Sequence, residues 1–275
     1  MSYERAGGRC LEYYPCSYEG SRLQFRGPKR ELDEPYMAFL GGTETFGKFI
    51  TRPFCDRVED ALDVPSLNLG VVNAGVEAFV GDLGALSLAS RAQVCILQVM
   101  SAHHVSNRFY TVHPRRNDRF LKPSDHMKRL FPRTDFTEFH FVGHMLRHLA
   151  LVEGDRFMVL IEELQTAWVS RMRQLLDRID APVVLLWFSD HAPEEKTGFA
   201  HVASQPFAVT RAMLGQIESL ADDLVVATAS AAALARGNEG MVFTSGEAQA
   251  SLQLLGPSAH DEAAGALAAR LAHYF

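Results

Sequence analysis

The chain has 275 residues, of which 47% are hydrophobic and 22% charged, and its formal net charge is −6. That composition belongs to a packed globular protein and excludes a disordered chain. The net acidity argues against a chain-wide nucleic-acid or anionic-membrane surface. The longest wholly apolar run, Ala181 to Phe188, is eight residues, far short of the ~20 that a spanning helix needs. The first residues show no apolar stretch of the signal-peptide kind. Four cysteines, Cys10, Cys16, Cys55 and Cys95, show no CxxC pair and no metal spacing, so a reduced, cytoplasmic protein is the expectation.

Residues 1–36 are rich in Tyr, Arg and Gly and read as an arm on the main body, with a short alternating strand at Ser21 to Arg26. From Tyr36 the rhythm is strand then helix. Met37 to Leu40 is a first apolar strand, and Phe46 to Leu62 has helical spacing. Ser66 to Gly70 predicts a second strand, Val80 to Ala92 a helix and Val94 to Met100 a third strand. Residues 101–135 have little apolar periodicity but hold eight basic residues from Arg108 to Arg133. Helices are predicted over Phe136 to Leu151 and Asp155 to Ile179, so residues 101–180 form a basic loop and helical insertion. A fourth strand (Pro182 to Phe188), a helix opened by Pro206, a fifth strand (Leu224 to Ala227) and a closing helix (Asp261 to Tyr274) complete the chain. Apolar strands alternating with helices imply a parallel sheet covered on both faces, with ligands at the carboxyl ends of its strands.

The loop after the first strand, Gly41-Gly42-Thr43-Glu44-Thr45-Phe46-Gly47-Lys48, invites two readings. In the first it resembles the opening Gly-Asp-Ser-x-Thr-x-Gly block of the SGNH (GDSL-type) hydrolases: Gly41, Thr45 and Gly47 match, Gly42 replaces the Asp, and Thr43 replaces the nucleophilic Ser. Asn68-Leu69-Gly70 falls where that family places an oxyanion-hole glycine. Ser101 to Asn107 falls where it has Gly-x-Asn-Asp, with His104 or Asn107 as the polar donor. Pro257-Ser258-Ala259-His260 keeps the His of the closing Asp-x-x-His and loses its Asp. The resemblance implies a three-layer α/β/α sandwich with a five-strand parallel sheet, SGNH- or flavodoxin-like. It also implies an esterase or acyltransferase acting on a small acyl ester. Thr43 is then the nucleophile, His260 its base, Asp190 or Asp261 the orienting carboxylate, and Gly70 with His104 or Asn107 the oxyanion hole.

In the second reading Gly42 to Lys48 is most of a phosphate-cradling P-loop, though Phe49 stands where Ser or Thr should hold Mg²⁺. A third possibility is a retained fold without catalysis, with Thr43 only capping a helix. The basic stretch, with Arg108, Arg115, Arg116 and Arg119 foremost, suits an anionic substrate group. His140, His144 and His148 recur every four residues, as on one helix face, but no carboxylate joins them, and a polar stripe is the plainer reading than a metal site. No cofactor is called for, and the expected partner is a small molecule rather than nucleic acid or a membrane.

Overall fold

In the computed structural model, which describes residues 11–193 and 205–275, the chain forms a parallel sheet between two helical layers. Its strands are β1 (Met37–Gly41), β2 (Ser66–Gly70), β3 (Val94–Gln98), β6 (Val183–Ser189) and β7 (Asp223–Thr228), in the order β2-β1-β3-β6-β7. A separate antiparallel hairpin, β4 (Tyr110–His113) and β5 (Arg116–Pro123), lies outside this sheet.

The strands are apolar on both sides because both sides are covered. Ala38, Leu40, Cys95, Leu97, Leu185 and Trp187 point into one core, while the intervening Met37, Phe39, Val94, Ile96, Leu186 and Phe188 point into the other. The first core is closed by α3 (Val76–Val80), α4 (Leu83–Ser90), α6 (Val142–Val152) and α7 (Gly154–Leu176). The second is closed by α2 (Phe54–Leu62), α9 (Ala231–Arg236) and α11 (Pro257–Leu271). α11 meets the sheet through Ala259, Ala263 and Ala264, small residues that let it lie close, and through Leu267 and Leu271. Burying a Leu- or Phe-sized side chain stabilises by about 1.5–3 kcal/mol, so these two layers dominate the folding energy. Cys55 and Cys95 are free thiols inside these cores, and burial pushes Cys95 up to about 12. Cys10 lies outside the described residues.

The five predicted sheet strands are present, and the helices differ in detail. The helix expected over Phe46 to Leu62 is two pieces, α1 (Thr43–Phe46) and α2, separated by Gly47 at φ 70°, Phe49 at φ 69° and Pro53. Val80 to Ala92 is likewise split between α3 and α4, with Asp82 accepting from Ala85 N–H as the new N-cap. Residues 101–135 are not a bare loop: they contain the hairpin and α5 (Asp125–Leu130). The helix expected from Phe136 starts only at Val142. After Pro206 the helical stretch shrinks to α8 (Arg211–Gly215) and a short 3-10 turn, and α10 (Ala248–Ser251) precedes the last helix. The expected strand at Ser21 to Arg26 is a single bridge, Cys16 to Phe25. Among the described residues no helix is long and apolar enough to cross a membrane.

Candidate active site

Strand order reverses between β1 and β3, since the chain leaves β1 toward β2 and then crosses to β3 on the other side. In open parallel sheets the crevice beyond such a reversal is where ligands bind. A cavity of about 360 Å³ occupies it. The β1 turn contributes Gly42, Thr43 and Glu44, the β2 turn Asn73, the β3 turn Ser101, His103 and His104, the hairpin Asp118, and α6 His144 and Arg147.

Gln98, at the end of β3, fixes the β1 turn. Its Oε1 accepts from Gly42 N–H (3.0 Å), Thr45 N–H (3.2 Å) and the Thr45 hydroxyl (2.6 Å), all buried. Gly41 must be glycine, because a Cβ there would run into the side chains of Thr45 and Gln98. Asn68 ties the β2 end to the same turn, its Nδ2 donating to Thr45 O at 2.8 Å. These bonds overturn the P-loop reading: a phosphate cradle needs open N–H groups, and those of Gly42 and Thr45 are spent on Gln98. Lys48 stands over the Phe49 ring with Glu247 at 3.9 Å.

Thr43 lines the cavity, with its hydroxyl engaged on both sides. It accepts from Asn73 N–H at 2.9 Å and donates to Asn73 Oδ1 at 3.3 Å. The expected bond to His260 is absent. His260 sits in the first turn of α11, fully buried, stacked on Phe54 and edge-on to Phe188. Its Nδ1 accepts Phe54 N–H at 3.1 Å, so the proton belongs on Nε2, which faces the Glu44 carboxylate at 3.5 Å. A ring so held is a poor base toward a substrate. The carboxylate beside it is Glu44, not Asp190 or Asp261: Asp190 binds His191 Nδ1 at 2.7 Å, and Asp261 pairs with Arg57. Glu44 is nearly buried, accepts Leu255 N–H at 3.3 Å, and lines both this cavity and an adjoining recess below β6.

Two oxyanion-hole expectations are also overturned. Gly70 N–H donates to Asn68 Oδ1 at 2.9 Å, and the residue is glycine because a Cβ would come within 2.6 Å of the Thr45 carbonyl carbon. Asn107 caps its own turn: Oδ1 accepts from Phe109 and Tyr110 N–H, and Nδ2 donates to Val105 O. His104 does reach the cavity. Burial, opposed only by its bond to the Ala74 carbonyl, pushes its pKa down to about 4. Its ring lies 3.9 Å from that of His103, which burial and the neighbouring His104 and Arg147 hold neutral, well below the usual imidazole range. His103 Nδ1 is buried without a hydrogen-bond partner. Asp118 is raised, chiefly by burial, and its Oδ2 accepts from Asn73 Nδ2 at 3.1 Å.

The predicted arginines stay out of the cavity. Arg108 pairs with Glu163 at 2.8 Å, while Arg115, Arg116 and Arg119 line a neighbouring groove. Arg147 is the arginine that the cavity does contain. His140 precedes α6 and so cannot share its face, and His144 and His148 rest against the Phe139 ring. Among the described residues no group of three metal-ligating side chains converges. Glu44, Asn73, Gln98 and Arg147 escaped the sequence reading. Gln98 had a visible signal, one amide ending an otherwise apolar strand, and Glu44 stood beside Thr43 in the loop already singled out.

Among solved structures, the chain is similar to a carbohydrate esterase family 2 enzyme with its carbohydrate-binding domain from Corynascus thermopiles (Myceliophthora fergusii), with a TM-score of 0.42 and 10% identity over 90% of this chain and 69% of that one. It is also similar to the lipase Lip_vut3 from a goat rumen metagenome, with a TM-score of 0.44 and 12% identity over 88% and 98% of the two chains. Likeness at this level leaves the chemistry to be argued from the site. No curated protein matches. Residues 1–275 match the family described as "Domain of unknown function (DUF6473)", and the chain belongs to that family.

Proposed function

We propose that the cavity is the reacting centre of a divergent SGNH-like hydrolase or acyltransferase that acts on a small acyl ester, with Glu44 as its acid–base group. The observation that carries this is the Glu44 carboxylate: nearly buried, backed by His260 Nε2 at 3.5 Å, and set in the cavity wall next to Thr43 at the reversal of strand order. Among the described residues His260 Nε2 makes no hydrogen bond; the carboxylate is oriented by Leu255 N–H, which donates to Oε1 at 3.3 Å, and a carboxylate so fixed is placed for proton transfer. Thr43 has no base against its hydroxyl and is bonded twice to Asn73, so attack by water or by an acceptor hydroxyl fits better than attack by Thr43.

In that reaction Glu44 takes the proton of the attacking O–H as its oxygen bonds to the acyl carbon. The tetrahedral intermediate collapses, the bond to the alcohol oxygen breaks, and Glu44 returns the proton to the leaving alkoxide. His260 is a positioning residue. The test is turnover of a panel of acyl esters, 4-nitrophenyl acetate among them, by wild type, Glu44→Gln and Thr43→Ala. Loss of a general base costs about 10²–10⁴-fold in kcat, so Glu44→Gln should fall by about 10²-fold or more, and Thr43→Ala by far less. Absence of turnover on every ester, or equal turnover in wild type and Glu44→Gln, would overturn the reading.

A further inference from the structure

Beside the cavity runs a groove of about 810 Å³ between the N-terminal segment and the β4–β5 hairpin. Phe46, Val71 and Val72 are among its apolar lining, and Arg22, Arg115, Arg116 and Arg119 are its charged groups. No acidic residue lines it, in a chain whose net charge is −6. All four arginines are exposed. Among the described residues none has a carboxylate within 4.0 Å. The nearby acids are engaged elsewhere: Glu77 pairs with Arg171 at 3.1 Å, and Asp82 accepts the backbone N–H groups of Arg22 and Ala85. Asp118 bonds Asn73 and lines the cavity; Arg119 and Arg116 act on its carboxylate through space, without a contact within 4.0 Å.

The hairpin tip that carries two of these arginines is fixed. His113 Nδ1 accepts Arg115 N–H (3.3 Å) and Arg116 N–H (3.2 Å). Asn117, fully buried, accepts Gly75 N–H (2.8 Å) and Ala78 N–H (3.1 Å) and donates to His113 O, which fastens the tip to the start of α3. The groove neighbours the cavity. Arg119 stacks 5.1 Å above Phe141, a cavity residue, and Val72 of the groove precedes Asn73 of the cavity.

Four exposed guanidinium forks with no carboxylate in contact, three of them on the anchored hairpin, call for a ligand with several anionic oxygens, because each fork matches two such oxygens at once. We infer that the groove binds an oligo-anionic portion of the substrate, two neighbouring phosphate groups, while the acyl end enters the cavity. Joining the two sites in one substrate rests on the acyl-transfer reading; anion binding by the groove does not. The apolar lining beside the arginines suits the organic body that links the two ends.

The test is calorimetric titration with pyrophosphate, with inorganic phosphate as the single-anion reference. Wild type should bind pyrophosphate more tightly than phosphate, and less tightly as salt screens the exposed charges. Arg115→Ala with Arg116→Ala should weaken pyrophosphate binding by about tenfold or more. Both side chains are exposed and neither touches a carboxylate, so this variant should fold normally. Arg129→Ala with Arg133→Ala removes the same charge outside the groove and should stay within about twofold of wild type. Undetectable binding at millimolar pyrophosphate, or equal weakening in the two double variants, would overturn the inference. Failure of the ester reading would show instead as absent turnover, with this titration unchanged.

Discussion

Gln98 is the most informative single position for the architecture of the site. One amide oxygen accepts three donors, Gly42 N–H, Thr45 N–H and the Thr45 hydroxyl, and thereby shapes the turn that presents Thr43 and Glu44. Gln98→Met keeps length and volume but removes the acceptor. A buried donor left unpaired costs about 1–3 kcal/mol. The three share one oxygen and the turn relaxes in part, so the sum is not reached, and about 3 kcal/mol is the expected loss. For a chain of this size that lowers Tm by about 6–12 °C. Gln98→Glu retains acceptor oxygens at the same reach and should lose less. Urea or thermal unfolding of the three proteins measures this directly. A Gln98→Met variant within about 0.5 kcal/mol of wild type would refute the view that this amide holds the turn.

Two further outcomes concern stability. His103 and His104 are held neutral in the fold, His104 with its pKa down to about 4, so their contribution is complete above an unfolded imidazole pKa of about 6.5 and is lost as pH falls toward about 4. His104 alone accounts for a few kcal/mol of that loss at most, on the order of 1.4 kcal/mol per pKa unit less what its partial exposure screens. Chemical denaturation at successive pH values should show the decline, and His104→Gln should flatten it; a pH-independent wild type would contradict the assignment. Gly70→Ala forces a Cβ against the backbone of Thr45 and Phe46 and should cost about 3 kcal/mol, read as a lower unfolding midpoint; an unchanged midpoint would show that α1 can shift freely.

The sheet was legible because each strand is a short apolar run, and the two-sided burial of Met37 to Leu40 or Val183 to Phe188 leaves few alternatives to a covered parallel sheet. Helix ends were less legible. Apolar spacing carries smoothly through Phe49 and Pro53, yet backbone at positive φ breaks the helix there. In the site, the strand-end rule pointed to the right loops, and Thr43 and His104 reach the cavity. The pairing of His260 was out of reach, because the contacts that decide it, a bond from Phe54 N–H and the approach to Glu44, join residues 206 and 216 positions apart. Gly70 and Asn107 were expected in an oxyanion hole only from a resemblance in sequence, and their polar groups are turned inward to hold turns.

Whether Glu44 or Thr43 does the chemistry is decided most directly by mass spectrometry of the protein during turnover of an activated acetyl ester. Attack by water under the control of Glu44 gives steady product release with no pre-steady-state burst and no acetyl group on the peptide containing Thr43. Acetylated Thr43 that forms and decays at the turnover rate would contradict it and restore the hydroxyl nucleophile.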